Sequence, residues 1–189
     1  TPAIGGVGLI KDYKKMINMS FKKKNNIVLV IGKTEGHLDQ SIFAKEILLE
    51  KKGPPPNINL FNEKNIGETI LKLIDKNLVE SCHDVSLGGI LTSVSKMCIK
   101  GKKGIKINPI KGLINKFEYF FGEDQGRYII ETTKLNIEKV MKILKDNSVH
   151  YDELGVIDEK NIKFNNDLNL TVDDLNDANK TWLKRYMAN

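Results

Sequence analysis

A chain of 189 residues with 40% hydrophobic content can bury one sizeable core, so one domain with at most an appendage is expected. No run approaches the roughly eighteen apolar residues of a membrane span, and no basic-then-apolar leader opens the sequence, so no membrane partner and a cytoplasmic location are expected. The formal charge of +6 raises nucleic acid as a partner. Against it, every basic side chain except Arg127 and Arg185 is a lysine, which lacks the bidentate guanidinium favoured in base and phosphate recognition, and no nucleic-acid partner is expected.

The run Ile27-Val-Leu-Val-Ile31 predicts a strand covered on both faces, ended by Gly32. Apolar spacing from Leu38 to Glu50 predicts a helix, and Lys51-Lys-Gly-Pro-Pro-Pro-Asn57 breaks it as an extended surface connection. A second helix is predicted over Glu63 to Asn77, with Ile66, Ile70, Leu73, Ile74 and Leu78 on one face. A short strand then runs out into His83 and Asp84, and a helix is predicted over Gly88 to Lys100 with Gly101 as its stop. Gly104-Ile-Lys-Ile-Asn-Pro109 alternates like an edge strand. Further strands are expected over Tyr128 to Thr132, His150 to Ile157 and Ile162 to Leu170, with a helix marked by Ile137, Val140, Met141 and Leu144. Thr171-Val-Asp-Asp174 has capping-box spacing for a last helix, in which Leu175, Ala178, Trp182, Leu183, Tyr186 and Met187 share a face. Cys82 and Cys98, both expected to be buried, lack the spacing of a disulfide framework or zinc site.

The segment Glu80-Ser-Cys-His-Asp-Val-Ser-Leu-Gly-Gly-Ile90 carries the most chemistry. Asp84 supplies a hard oxygen ligand for magnesium, Ser86 caps the helix or donates to a phosphate, and Gly88 and Gly89 let a ligand approach the backbone. The alternative is a simple helix cap with glycines forced by a tight turn and a His83 that hydrogen-bonds the loop. In Gly122-Glu-Asp-Gln-Gly-Arg127, which concentrates two carboxylates and an arginine, either Glu123 and Arg127 face a ligand or the turn holds an internal ion pair, the second being the simpler account. Gly32-Lys-Thr-Glu-Gly-His37 lacks the Gly-Lys-Ser/Thr ending of a Walker loop, since Lys33-Thr34 comes too early, at the start of the loop. No Gly-x-Cys-x-Gly or Gly-x-Ser-x-Gly elbow and no H-E-x-x-H motif supports a hydrolase.

Pro2-Ala-Ile-Gly-Gly-Val-Gly8, Gly36-His-Leu-Asp-Gln-Ser41, His83-Asp-Val-Ser-Leu-Gly-Gly89 and Phe121-Gly-Glu-Asp-Gln-Gly-Arg127 resemble, in this order, the last quarter of the synthetase subunit of phosphoribosylformylglycinamidine synthase. The Val156-Ile157 strand and the helix from Val172 to Met187 are similar to that family's end. The wider aminoimidazole ribonucleotide synthase-related superfamily shares the strand–His-Asp–glycine pattern. The resemblance implies an α+β (layered α/β) fold, a mixed β-sheet with helices packed on its faces. It implies a tail of a preceding A domain over residues 1–20 and a C-terminal synthase (B) domain over 21–189.

It further implies an ATP-dependent amidation in purine biosynthesis. Formylglycinamide ribonucleotide, ammonia and ATP would give formylglycinamidine ribonucleotide, ADP and phosphate. A separate glutaminase subunit would supply the ammonia from glutamine, and upstream A and B domains would hold the principal substrate and ATP residues, leaving this chain inactive alone. Residue by residue, Asp84 matches an aspartate that holds Mg2+ and Ser86 a serine that touches an auxiliary nucleotide. His83, Gly88, Gly89, Glu123 and Arg127 complete the expected nucleotide contacts. Leu87 stands where an acidic residue is usual, and Asp39 where a small one is. The alternatives are a non-catalytic structural or partner-binding domain of the same superfamily, or a domain of a related synthase such as aminoimidazole ribonucleotide synthase.

Overall fold

The computed structural model describes residues 5–10 and 12–188. Thr1 to Ile4, and with them the start of the first matched motif, lie outside the described residues, as do Lys11 and Asn189. Seven strands form one sheet: β1 (Ile27–Ile31), β2 (Ser81–Asp84), β3 (Gly104–Ile107), β4 (Tyr128–Thr132), β5 (Tyr151–Asp158), β6 (Asn161–Phe164) and β7 (Leu168–Thr171), in the order β2-β4-β1-β5-β3-β6-β7. All neighbours are antiparallel except β3 and β6, which run parallel, so the sheet is mixed.

Among the described residues six α-helices accompany it: α1 (Ile42–Glu46), α2 (Leu60–Asp75), α3 (Gly89–Gly101), α4 (Lys116–Phe121), α5 (Ile137–Asp146) and α6 (Val172–Met187). β1 sits inside the sheet, and its alternate side chains enter two different cores. Val28 and Val30 pack with Ile90, Val94 and Met97 of α3 and with Phe120 of α4. Leu29 and Ile31 pack with Ile66, Ile70 and Leu73 of α2 and with Val140 and Leu144 of α5. The unbroken apolar run is thus explained by a sheet covered on both faces, each fully buried side chain contributing about 1.5–3 kcal/mol relative to exposure.

Several expectations need correction. The helix expected from Leu38 to Glu50 is reduced to α1, because Gln40 and Leu49 have left-handed backbones (φ 60° and 57°) and Ser41 caps between them. Gly104 to Ile107 is not an edge strand: β3 lies between β5 and β6, and its alternation reflects the outward turn of Lys106. The capping box at Thr171 forms as expected, but beyond Leu175 the apolar stripe of α6 overhangs the core and leaves Trp182 and Tyr186 stacked on each other and exposed. Cys98 is fully buried, whereas Cys82 is only partly covered. Burial pushes the Cys82 thiol up to about 12 and the Cys98 thiol further still, so neither is a ready nucleophile.

Candidate functional site

The topology brings the motifs to one end of the sheet. β1 and β2 end there, at Ile31 and Asp84, and the antiparallel β4 begins there at Tyr128, directly opposite Ile31 on one side and Asp84 on the other. The Gly122-to-Arg127 turn therefore lies against both the 33–37 loop and the 84–88 loop. A cleft of about 280 Å³ opens between them, lined by Asp84, Ser86, Glu123, Gln125 and Tyr128 among others. Glu63, at the start of α2, also lines a second cleft of about 360 Å³ whose lining includes Lys33, His37, Asn59 and Gln125.

Asp84 is the most available charged group of the motif, its side chain 62% exposed, and Ser86 is exposed beside it. His83 is tucked underneath, with Nδ1 at 3.2 Å from Asp84 Oδ1. Burial lowers the imidazole's affinity for a proton, opposed by the neighbouring Asp84 carboxylate. Among the described residues no three His, Cys, Asp or Glu side chains converge on one point. A cation at Asp84 would take most of its ligands from a bound anion and water, which suits magnesium, a metal that commonly uses one or two carboxylates with phosphate oxygens.

The backbone cradle is arranged differently from expectation. The N-cap of α3 is Gly88, with φ 82° and no side-chain cap, so Ser86 does not cap the helix. Gly88 N–H donates to Glu123 Oε1 at 2.8 Å, and the same oxygen accepts from Ile42 N–H at 2.8 Å, at the start of α1. Gly89 N–H donates to Ser86 O. The chain's own carboxylate thus takes the place at the helix start where an anion was expected. Gly89 is required for packing: its φ is +70°, and a Cβ would stand 2.6 Å from Phe120 O at the end of α4.

Arg127 is spent inside the turn. Its side chain is completely buried, donates to Gly122 O (2.6 Å), Asp124 O (3.2 Å) and Thr34 Oγ1 (3.3 Å), and lies 3.4 Å from Asp124 Oδ2. This is the internal ion pair rather than a ligand-facing guanidinium. Asp124, which the motif reading passed over, is the organiser of the 33–37 loop: its carboxylate accepts from the N–H groups of Glu35, Gly36 and His37 at 3.0–3.1 Å. Its position directly after Glu123 in a glycine-bounded turn was the signal available in sequence. His37 meets Pro54 O at 3.0 Å and holds the proline-rich connection over the second cleft.

A layered mixed sheet with the strand-end Asp84 loop defines the class, and the family match agrees: residues 23–164 match the AIR synthase related protein, C-terminal domain. The chain belongs to that family. Among curated proteins it is 62% identical, over its whole length, to the phosphoribosylformylglycinamidine synthase subunit PurL of Pelagibacter ubique (strain HTCC1062), covering 26% of that relative. It is 34% identical to the PurL subunit of Bartonella henselae, covering 25% of it. The chain thus spans about a quarter of the length of the curated relatives it matches. Among solved structures, Thermotoga maritima PurL complexed with FGAR superposes with a TM-score of 0.72 at 19% identity, over 86% of this chain and 30% of that one. The hydrogenase maturation protein HypE of E. coli superposes with a TM-score of 0.56 at 17% identity, over 82% of this chain and 51% of that one. These superpositions establish the shared α+β fold. Among the described residues no helix is long and apolar enough to cross a membrane.

Proposed function

We propose that this chain is the C-terminal domain of the ATP-dependent synthetase that converts formylglycinamide ribonucleotide, ammonia and ATP to formylglycinamidine ribonucleotide, ADP and phosphate. The observation that carries the reading is the 62% identity to a PurL subunit along the entire chain. In this reading residues 1–20 are the tail of the preceding domain and its connection, and residues 21–189 are the domain proper. The connection is already anchored before residue 21, since Asn18 O accepts from Cys82 N–H on edge strand β2. Upstream domains supply the principal substrate and ATP contacts, a glutaminase subunit supplies ammonia, and the assembly works in the cytoplasm. The chain alone does not turn over, because phosphoryl transfer needs metal, nucleotide and acceptor positioned together.

Within the domain, Asp84 is the Mg2+ ligand of an auxiliary nucleotide site and Ser86 its hydroxyl contact. Gly88 and Gly89 serve the left-handed turn and its packing rather than the ligand, since their N–H groups are held by Glu123 Oε1 and Ser86 O. Glu123 and Arg127 act by shaping the loops, since Glu123 Oε1 and the Arg127 guanidinium are committed within the chain. The bound metal would neutralise phosphate charge; the protein's part is to hold the carboxylate and hydroxyl on one rim of the cleft. The competing reading, a structural half that holds no ligand, draws on the occupation of Gly88 N–H by Glu123. Calorimetry of Mg2+·ADP with the full-length polypeptide separates the two. Asp84→Ala is expected to weaken binding at least tenfold, and an unchanged affinity removes Asp84 from any nucleotide site. Formation of formylglycinamidine ribonucleotide by this chain alone would overturn its dependence on the upstream domains.

A further inference from the structure

Among the described residues, one buried side-chain polar atom has no hydrogen-bond partner, and it belongs to the site: His83 Nε2. The imidazole lies under the loop, its side chain 12% exposed, in register with the fully buried Ile129 of β4. Its one polar contact is at the other nitrogen, Nδ1, 3.2 Å from Asp84 Oδ1. An orphaned buried nitrogen destabilises a fold, and an apolar side chain of similar size would fill the same place without that cost. Stability does not explain a histidine here. What it does provide is a donor: a neutral ring with Nδ1 facing a carboxylate carries its proton on Nδ1, which strands Nε2 as a buried lone pair.

Asp84 is the last residue of β2, and the chain beyond it is fixed by the Val85 N–H bond to Arg127 O at 2.9 Å. The backbone is therefore held while the carboxylate stands in solvent, free to rotate unless something restrains it. We propose that His83 is a positioning residue: the approach of its Nδ1 to Asp84 Oδ1 at 3.2 Å restrains that oxygen and leaves Oδ2 open to the cleft for the divalent cation of a metal-bound phosphate ligand. The inference rests on the Asp84 reading above and deepens it. Restraining one oxygen lowers the ordering cost of cation binding, the way outer partners tune metal-binding carboxylates.

The test uses Mn2+·ADP as probe, titrated into the 15N-labelled chain, with paramagnetic broadening of the Val85, Ser86 and Leu87 amides as the readout and urea denaturation of each variant alongside. His83→Leu is expected to raise the Mn2+·ADP midpoint roughly tenfold while its urea midpoint equals or exceeds that of wild type. His83→Asn, whose amide nitrogen overlays Nδ1, is expected to restore a near wild-type Mn2+·ADP midpoint. If His83→Leu binds Mn2+·ADP like wild type while Asp84→Asn does not bind, the positioning role is overturned and the Asp84 site stands. If His83→Leu loses stability and binding together and asparagine rescues neither, the residue is merely structural and the inference fails. If wild type and Asp84→Asn behave alike, the Asp84 site itself is refuted and the inference goes with it.

Discussion

Glu123→Ala tests how the motif loop is held. One oxygen, Glu123 Oε1, accepts two backbone N–H groups at 2.8 Å, from Gly88 at the cap of α3 and from Ile42 at the start of α1. Alanine removes both bonds and leaves two helix-start donors unpaired. Hydrogen bonds to a charged group are worth about 1.5–3 kcal/mol each, and the lower end applies where water can replace the acceptor. Ile42 N–H is at an exposed position and is rehydrated readily, while Gly88 N–H is part-buried. Counting the part-buried Gly88 bond at about 1.5–3 kcal/mol and the rehydrated Ile42 bond at close to nothing, and adding about 0.3–1 kcal/mol for the placement of a carboxylate at the start of α3, gives a total loss of about 2–4 kcal/mol. For a chain of this size that corresponds to a fall in Tm of roughly 4–16 °C. Glu123→Gln keeps a carbonyl acceptor and is expected to lose about half as much. Urea denaturation followed by circular dichroism measures both, and hydrogen exchange at Gly88 locates the effect. If alanine and glutamine variants both stay within about 0.5 kcal/mol of wild type, the shared oxygen does not hold the loop and the account is wrong.

Arg127→Met should be more damaging, costing about 3–5 kcal/mol in chemical denaturation, because it strands the buried Asp124 carboxylate; a change under about 1 kcal/mol would contradict the ion-pair assignment. Gly89→Ala should lower stability by about 2 kcal/mol or more, since a Cβ meets Phe120 O at 2.6 Å on a left-handed backbone, and a neutral thermal melt would refute the close approach. Hydrogen bonds from the Thr171 hydroxyl and N–H hold the Asp174 carboxyl below its ordinary value of 3.8. Its folded pKa lies below its unfolded one, so its contribution is complete above about pH 4 and is lost as pH falls through the folded value. Asp174→Asn should flatten that acid-side slope in urea titrations, and an unchanged slope would show that the capping box does not carry it.

The elements most legible in the sequence were those whose signal is local. The apolar run of β1, the 3.6-residue stripes of α2, α3 and α5, and the capping box at Thr171 all follow from side-chain periodicity and hydrogen bonding within a few residues. The His83-to-Gly89 segment was also visible as a strand end entering a helix through glycines. The exposed Asp84 and Ser86 lie where that pattern puts them.

What depended on distant partners could not be read this way. Whether β3 is an edge or an interior strand is decided by β6, more than fifty residues later in the chain, pairing in parallel with it. The short length of α1 follows from left-handed backbones at Gln40 and Leu49, neither of them glycine. The roles of Glu123, Asp124 and Arg127 show the same division within six residues: composition marked a charged turn, but not which charge faced inward. Closure of the sheet set the turn against the 33–37 and 84–88 loops, giving Asp124 three backbone donors, Glu123 two helix starts and Arg127 a dry interior. Local sequence specifies which groups are available and what conformations they tolerate; the backbone donors that Glu123 and Asp124 take lie 35 to 89 residues away, brought in by packing that no short window contains.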